Sequence, residues 1–170
     1  IEQIDGKLLI NRVDKLSTTE KLELLQQICD ALHHVHRYGT IYENLTAESV
    51  LYTDNHQVKL RGLLDQFVDP NLWYNAPEEF NGESSEQSAV YRIGLLGYEL
   101  LTGTLPYEEY PNGDPRTMIR DGKPIPPSEQ VSEIGASVDQ VLLKALSEDP
   151  EVRHETVLHL RDELQNLIDQ

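Results

Sequence analysis

The chain has 170 residues, 38% of them apolar, and its 30 acidic against 14 basic side chains leave a formal net charge of −16. That length suits one domain, residues 1–170, with a real hydrophobic core, and the charge opposes phosphate backbones and anionic lipids, which excludes nucleic acid and bare membrane as partners. No segment reaches the roughly 18 uninterrupted apolar residues of a membrane helix, and the opening "IEQIDGKLLI" has neither a basic n-region nor a cleavage site, so a cytoplasmic location is expected.

Ser17 to Gly39 is the clearest helix. Ser17 and Glu20 form a capping box, Leu22, Leu24, Leu25, Ile28, Ala31, Leu32 and Val35 make an apolar stripe, and Gly39 ends it. The lone cysteine, Cys29, excludes an intramolecular disulfide and reads as a small core residue. Ser49–Tyr52 and Val58–Leu60 follow as β-type runs around the turn-rich "TDNHQ", a hairpin signal. After an irregular stretch from Gly62 to Asn75, a second helix over Glu86 to Thr102 is apolar nearly all round, and burial at the centre of the domain is expected. The Pro- and Gly-rich segment from Thr104 to Gln130 has room for one short helix near Arg116 to Asp121. Two more helices, Ala136 to Leu146 and Glu155 to Ile168, close the chain, the last with Val157, Leu160, Leu164 and Leu167 on one face. The sum is a mostly α domain with one small β-hairpin. Acidic residues are spread along its whole length, which suits a salt-rich cytoplasm, an ordinary acidic protein being the other reading.

The order of parts resembles the C-terminal lobe of the eukaryotic-type protein kinase superfamily. The catalytic-loop pattern H-R-D-L-x-x-x-N aligns with Tyr42-Glu43-Asn44-Leu45-Thr46-Ala47-Glu48-Ser49, and the D-F-G position after the hairpin falls on Gly62-Leu63-Leu64. Ala76-Pro77-Glu78 is an intact A-P-E. "AVYRIGLLGYELLTGTLPY" resembles the central kinase helix, and "KALSEDPEVR" resembles the stretch with the late arginine, here Arg153. Any one of these is weak; five in order along the chain carry the resemblance. It also implies that Ile1 to Ile4 is the hinge strand and Lys7 to Val13 a short helix. Nothing before "IEQIDGKLLI" supplies a glycine-rich loop or the strand lysine, so a C-lobe without its N-lobe is expected.

Set against that family, the substitutions point to lost chemistry. The loop Asp that accepts the substrate proton is matched by neutral Asn44. The two metal-binding positions are matched by Ser49 and Gly62, which lack hard anionic oxygens, so no metal and no cofactor are expected. Thr46 stands in the place of the phosphate-steadying lysine, and Glu43 replaces the arginine that meets an activation-segment phosphate. Tyr42 replaces the usual His, and Ala89 the Asp that anchors the loop. By contrast, Glu78 and Arg153 match the family's buried structural ion pair.

The implied protein is a pseudokinase C-lobe, not an enzyme, acting as a protein-interaction or regulatory scaffold. Its partner would be a signalling protein, another domain of a longer chain, or a second copy in a homodimer. The surface near Ile1, Ile4, Leu8, Leu9, Tyr42, Leu63 and Leu64 is expected to be an exposed interface. The competing reading is a fragment of a phosphoryl- or nucleotidyl-transferring enzyme with a non-standard site, in which Asn44 and Asp65 would act. A third, a helical regulator unrelated to kinases, needs the motifs to be coincidental. "HHVHR" offers at most two histidines to one face and reads as a helix end, not a metal site. Asp65 reads as a solvated loop residue, and "EEYPNGDP" lacks the spacing of a calcium loop. Tyr91, Tyr98, Tyr107 and Tyr110 are candidate phosphosites, of which the first two sit within the buried helix and read as packing residues.

Overall fold

The computed structural model describes residues 7–61 and 71–170 of the chain. Helix α1, Thr18–His36, begins where expected: the Ser17 hydroxyl accepts from the Glu20 amide at 3.2 Å, and the Glu20 carboxylate accepts from the Ser17 amide at 2.7 Å. The Ser17 amide and hydroxyl, both donating to the Glu20 carboxylate, hold its carboxyl below the ordinary range. Past the helix end, Gly39 takes φ 75°, a left-handed conformation that glycine adopts without penalty. Leu22, Leu24, Leu25, Ile28, Cys29 and Leu32 are buried.

The hairpin pairs β2, Val50–Tyr52, with β3, Val58–Leu60, antiparallel and in the register Val50 to Leu60 and Tyr52 to Val58. Its turn closes on Thr53, whose amide donates to the Gln57 carbonyl and whose hydroxyl accepts from the Gln57 amide. Gln27 of α1 fastens the hairpin from outside, accepting from the Val58 amide at 2.9 Å and donating to the His56 carbonyl at 3.0 Å. A third strand, β1, Lys7–Leu8, pairs with β2. The expected helix from Lys7 to Val13 is therefore replaced by an edge strand and two short 3-10 turns, Leu9–Asn11 and Val13–Lys15. The free edge of β2 offers backbone partners that an isolated seven-residue helix lacks. The expected strand at Ile1 to Ile4 lies outside the described residues.

Helix α2, Glu86–Thr102, is the axis of the lobe and is buried from Ser88 to Tyr98 without a break. Two glycines let its neighbours come close. A Cβ at Gly97 would stand 2.9 Å from Leu25 Cδ1 of α1, and one at Gly94 would stand 3.0 Å from the Ala145 Cβ. Helix α3, Pro115–Asp121, occupies the predicted place, capped by Asp114, which accepts from the Thr117 amide. A single turn, α4, Pro127–Gln130, was not expected; Pro127 starts it at the first helical position. Helices α5, Ala136–Ala145, and α6, Val157–Ile168, complete the bundle, with α6 packed along α1 and α5 against α2. Val157, Leu160 and Leu164 are buried and Leu167 is partly so. The whole is mostly helical with a small antiparallel sheet, as a kinase-like C-lobe is. Among the described residues no helix is long and apolar enough to cross a membrane.

Candidate functional site

The loop from Tyr42 to Ser49 is held from within. Tyr42 is buried and donates to the Arg61 carbonyl at 2.6 Å, and burial pushes its phenol up. Leu45 and Ala47 plug into the core. Ser49 folds back on Thr46, its hydroxyl accepting from the Thr46 amide at 2.9 Å and donating to the Thr46 carbonyl at 2.8 Å. That hydroxyl is engaged in a turn. Asn44 is half-buried, while Glu43 and Glu48 are exposed. Ala89 is in the core and has no polar group to anchor the loop; the Tyr42 hydroxyl and the Ser49 turn hold it instead. Gly62, Leu63, Leu64 and Asp65 lie outside the described residues.

The interface expected around these residues needs correction. Leu9 is fully buried and Tyr42 nearly so, and Leu8 is half-buried. β1 and the 3-10 turn after it carry Leu9 into the core, so Leu9 and Tyr42 are not open to a partner; Ile1, Ile4, Leu63 and Leu64 of the expected interface lie outside the described residues.

Glu78 and Arg153 meet in a two-pronged pair, with Nη1 to Oε1 at 2.7 Å and Nη2 to Oε2 at 2.9 Å. Arg153 also donates to the carbonyls of Ser147, Gln87 and Glu148, and its guanidinium lies 4.8 Å from the Tyr91 ring centre. Ser88 adds a hydroxyl donor to Glu78 at 2.7 Å. Burial pushes the Glu78 carboxyl up, but the hydrogen bonds from Arg153 and Ser88 outweigh it and hold the group below its ordinary value. All five Arg153 N–H donors are engaged, two by Glu78 and three by backbone carbonyls, which makes this a rivet rather than a reactive centre.

Two features were not singled out in the sequence. One is a second buried ion pair, Arg92 with Glu79 at 2.9 Å, steadied by Asn75 and by the Ala76 amide; burial raises the Glu79 carboxyl despite Arg92. The other is Glu99 on α2. Burial, and then the nearby Glu48 of the loop, push its carboxyl up to about 7, and its Oε2 is buried with no hydrogen-bond partner among the described residues. The phenol of Tyr110 is raised by burial and by the fields of Glu99 and Glu48, so all three side chains share one locality. Tyr110 in turn meets Trp73 edge to face, with ring centres 5.2 Å apart. The signal was present in "GLLGYELLTG", where Glu99 is the single charge in an otherwise apolar run.

The remaining candidates are structural. The His36 ring is packed 3.7 Å from Glu86, Asp114 is a helix cap, and no group of three metal-ligating side chains is placed together among the described residues. Tyr91 and Tyr98 are buried in α2. Burial pushes the Tyr91 phenol up to about 12, and its hydroxyl is bonded to that of Tyr107, which is also buried.

Comparison with known proteins matches residues 6–164 to a family model described as protein tyrosine and serine/threonine kinase. The serine/threonine-protein kinase PknB of Mycolicibacterium smegmatis is 27% identical over 96% of this chain and 29% of its own length. PknB of Mycobacterium tuberculosis is 28% identical over the same shares. Pkn1 of Myxococcus xanthus, also a serine/threonine-protein kinase, is 27% identical over 97% of this chain and 27% of its own length. The chain thus spans less than a third of these relatives. The expectation that it is not an enzyme is overturned by this finding, because proteins named as kinases run along almost all of it. Loss of the loop Asp does not by itself make a non-enzyme, because phosphoryl transfer passes through a loose transition state in which positioning and electrostatics dominate.

Proposed function

The chain belongs to the protein tyrosine and serine/threonine kinase family, and we propose that it is the polypeptide-holding lobe of a phosphotransferase that acts on protein segments carrying a basic residue. One observation carries this reading. Glu99 has a buried carboxylate oxygen with no hydrogen-bond partner among the described residues, and it feels the charge of Glu48 of the loop. A buried acceptor left open costs about 1–3 kcal/mol, and a carboxylate pair held together costs more than either alone. An arriving cation relieves both penalties at once, so the site gains most from a lysine or arginine side chain. Glu48 lies four residues after Asn44, which sets a bound segment beside the loop.

Within that reading Asn44 orients the acceptor hydroxyl with its amide, a positioning role that a loose transition state tolerates. The Ser49 turn and the Tyr42 bond fix the loop backbone that carries it. The protein-interaction role expected from the sequence enters here as the binding half of the activity. Calorimetry with the full-length protein and a serine peptide bearing one basic residue tests the site. Binding that weakens about tenfold in Glu99→Gln supports the proposal, and equal affinity for a peptide with glutamine in place of the basic residue contradicts it.

A further inference from the structure

His154 follows Arg153 in the chain, and its side chain is wholly buried. Its Nε2–H donates to Glu163 Oε2 of α6 at 2.9 Å, and the other oxygen of that carboxylate accepts from Lys144 Nζ of α5 at 2.6 Å. The three side chains form a clasp that joins α5 to α6 through the connection between them. Within that connection Arg153 ties down the Ser147 and Glu148 carbonyls while it holds Glu78 of the A-P-E segment. The Nδ1 of His154 is buried with no hydrogen-bond partner among the described residues.

While the ring is neutral, its one proton sits on Nε2 and the open Nδ1 is only an unused acceptor. A second proton turns Nδ1 into a donor with nothing to receive it and places a cation inside the fold. The charged and titratable groups around the ring are Glu163 and His159 of α6 and Lys144 of α5. Glu163 favours the charged ring, but Lys144 already answers its carboxylate, and Lys144 and His159 both oppose a further positive charge. Burial outweighs Glu163 and holds the imidazole below its ordinary value of 6.5.

We propose that His154 is a proton switch on the anchor of the A-P-E segment: neutral, it keeps the α5–α6 clasp shut, and protonated, it opens the clasp and frees Arg153 from Glu78. The sign follows from the ring's environment. Stability from neutral His154 is whole above pH 6.5 and is lost as pH falls through the lower value of the folded chain.

Urea midpoints and amide exchange of the full chain at pH 7.5 and pH 5.5 test this. Glu99 titrates in the same window with the opposite sign, so each result is read as the difference between the parent chain and His154→Gln, whose amide can still donate to Glu163 and takes up no proton. On acidification the parent should lose stability relative to His154→Gln. After correction for the intrinsic pH dependence of exchange, the amides of 144–163 and of 76–88 should lose protection in the parent and keep it in the variant. His36→Gln, which removes another buried imidazole, should behave as the parent does in both segments. Equal acid losses in the parent and His154→Gln overturn the switch, and a loss of protection confined to 144–163 overturns its link to the A-P-E segment. Should His154→Gln fail to fold, the parent alone decides, because unchanged protection of both segments at pH 5.5 contradicts the proposal.

Discussion

At the scale of single residues, two carboxylates on neighbouring elements meet opposite fates. Glu78 is satisfied by Arg153 and Ser88, whereas Glu99 has an oxygen with no hydrogen-bond partner among the described residues. Removing Arg153 leaves Glu78 with a half-buried, uncompensated charge, so Arg153→Met is expected to cost about 3–5 kcal/mol of folding stability, seen as a lowered urea midpoint. Arg153→Lys should cost nearly as much, since one ammonium cannot hold both Glu78 oxygens and three carbonyls. Glu99 sets a pH dependence of the other kind. Its carboxyl is raised from an ordinary 4.5 to about 7, so the folded chain holds a proton that the unfolded chain has released. The corresponding stability is complete below pH 4.5, drains away as pH rises through about 7, and is gone above it. Urea midpoints at pH 5 and pH 8 should differ less in Glu99→Gln than in the parent chain.

At the scale of elements, α2 decides how tightly the lobe closes. A side chain at Gly97 meets Leu25 Cδ1 at 2.9 Å and Leu142 Cδ2 at 3.2 Å, so Gly97→Val should push α1 and α5 off the axis and cost about 1–3 kcal/mol, read as a drop in Tm. Most of this architecture was legible in the sequence where the cause is local. Ser17 with Glu20, the apolar stripe of α1, the turn at Thr53 to Gln57 and the stop at Gly39 are all set by neighbours in the chain. What escaped was set by partners far along it. Lys7–Leu8 became a strand because β2 had an open edge, Leu9 went into the core because that strand carried it there, and Arg92 found Glu79 across a turn. The site divided the same way. The altered loop at Tyr42 to Ser49 was readable letter by letter, but the meaning of Glu99 came only with its burial and with Glu48 beside it. A helix apolar nearly all round announces a core, but which of its charges, Glu86, Arg92 or Glu99, lacks a partner is decided by the packing around it.

Across the whole molecule, the net charge of −16 makes the folded chain repel itself. Screening shortens from about 30 Å at 0.01 M salt to about 3 Å at 1 M, so Tm should climb as sodium chloride rises over that range; a fall would contradict the view of the surface as self-repelling. The same field draws basic polypeptides toward the lobe and turns polyanions away, in keeping with an open acidic site near the loop. The central claim is that this kinase-family lobe holds a basic segment at Glu48 and Glu99 for phosphoryl transfer. The most direct test is phosphate incorporation from ATP with magnesium, using the full-length protein and a serine peptide carrying arginine. The account predicts incorporation that falls at least tenfold when arginine is replaced by glutamine or Glu99 by Gln; no incorporation, or incorporation indifferent to both changes, would contradict it.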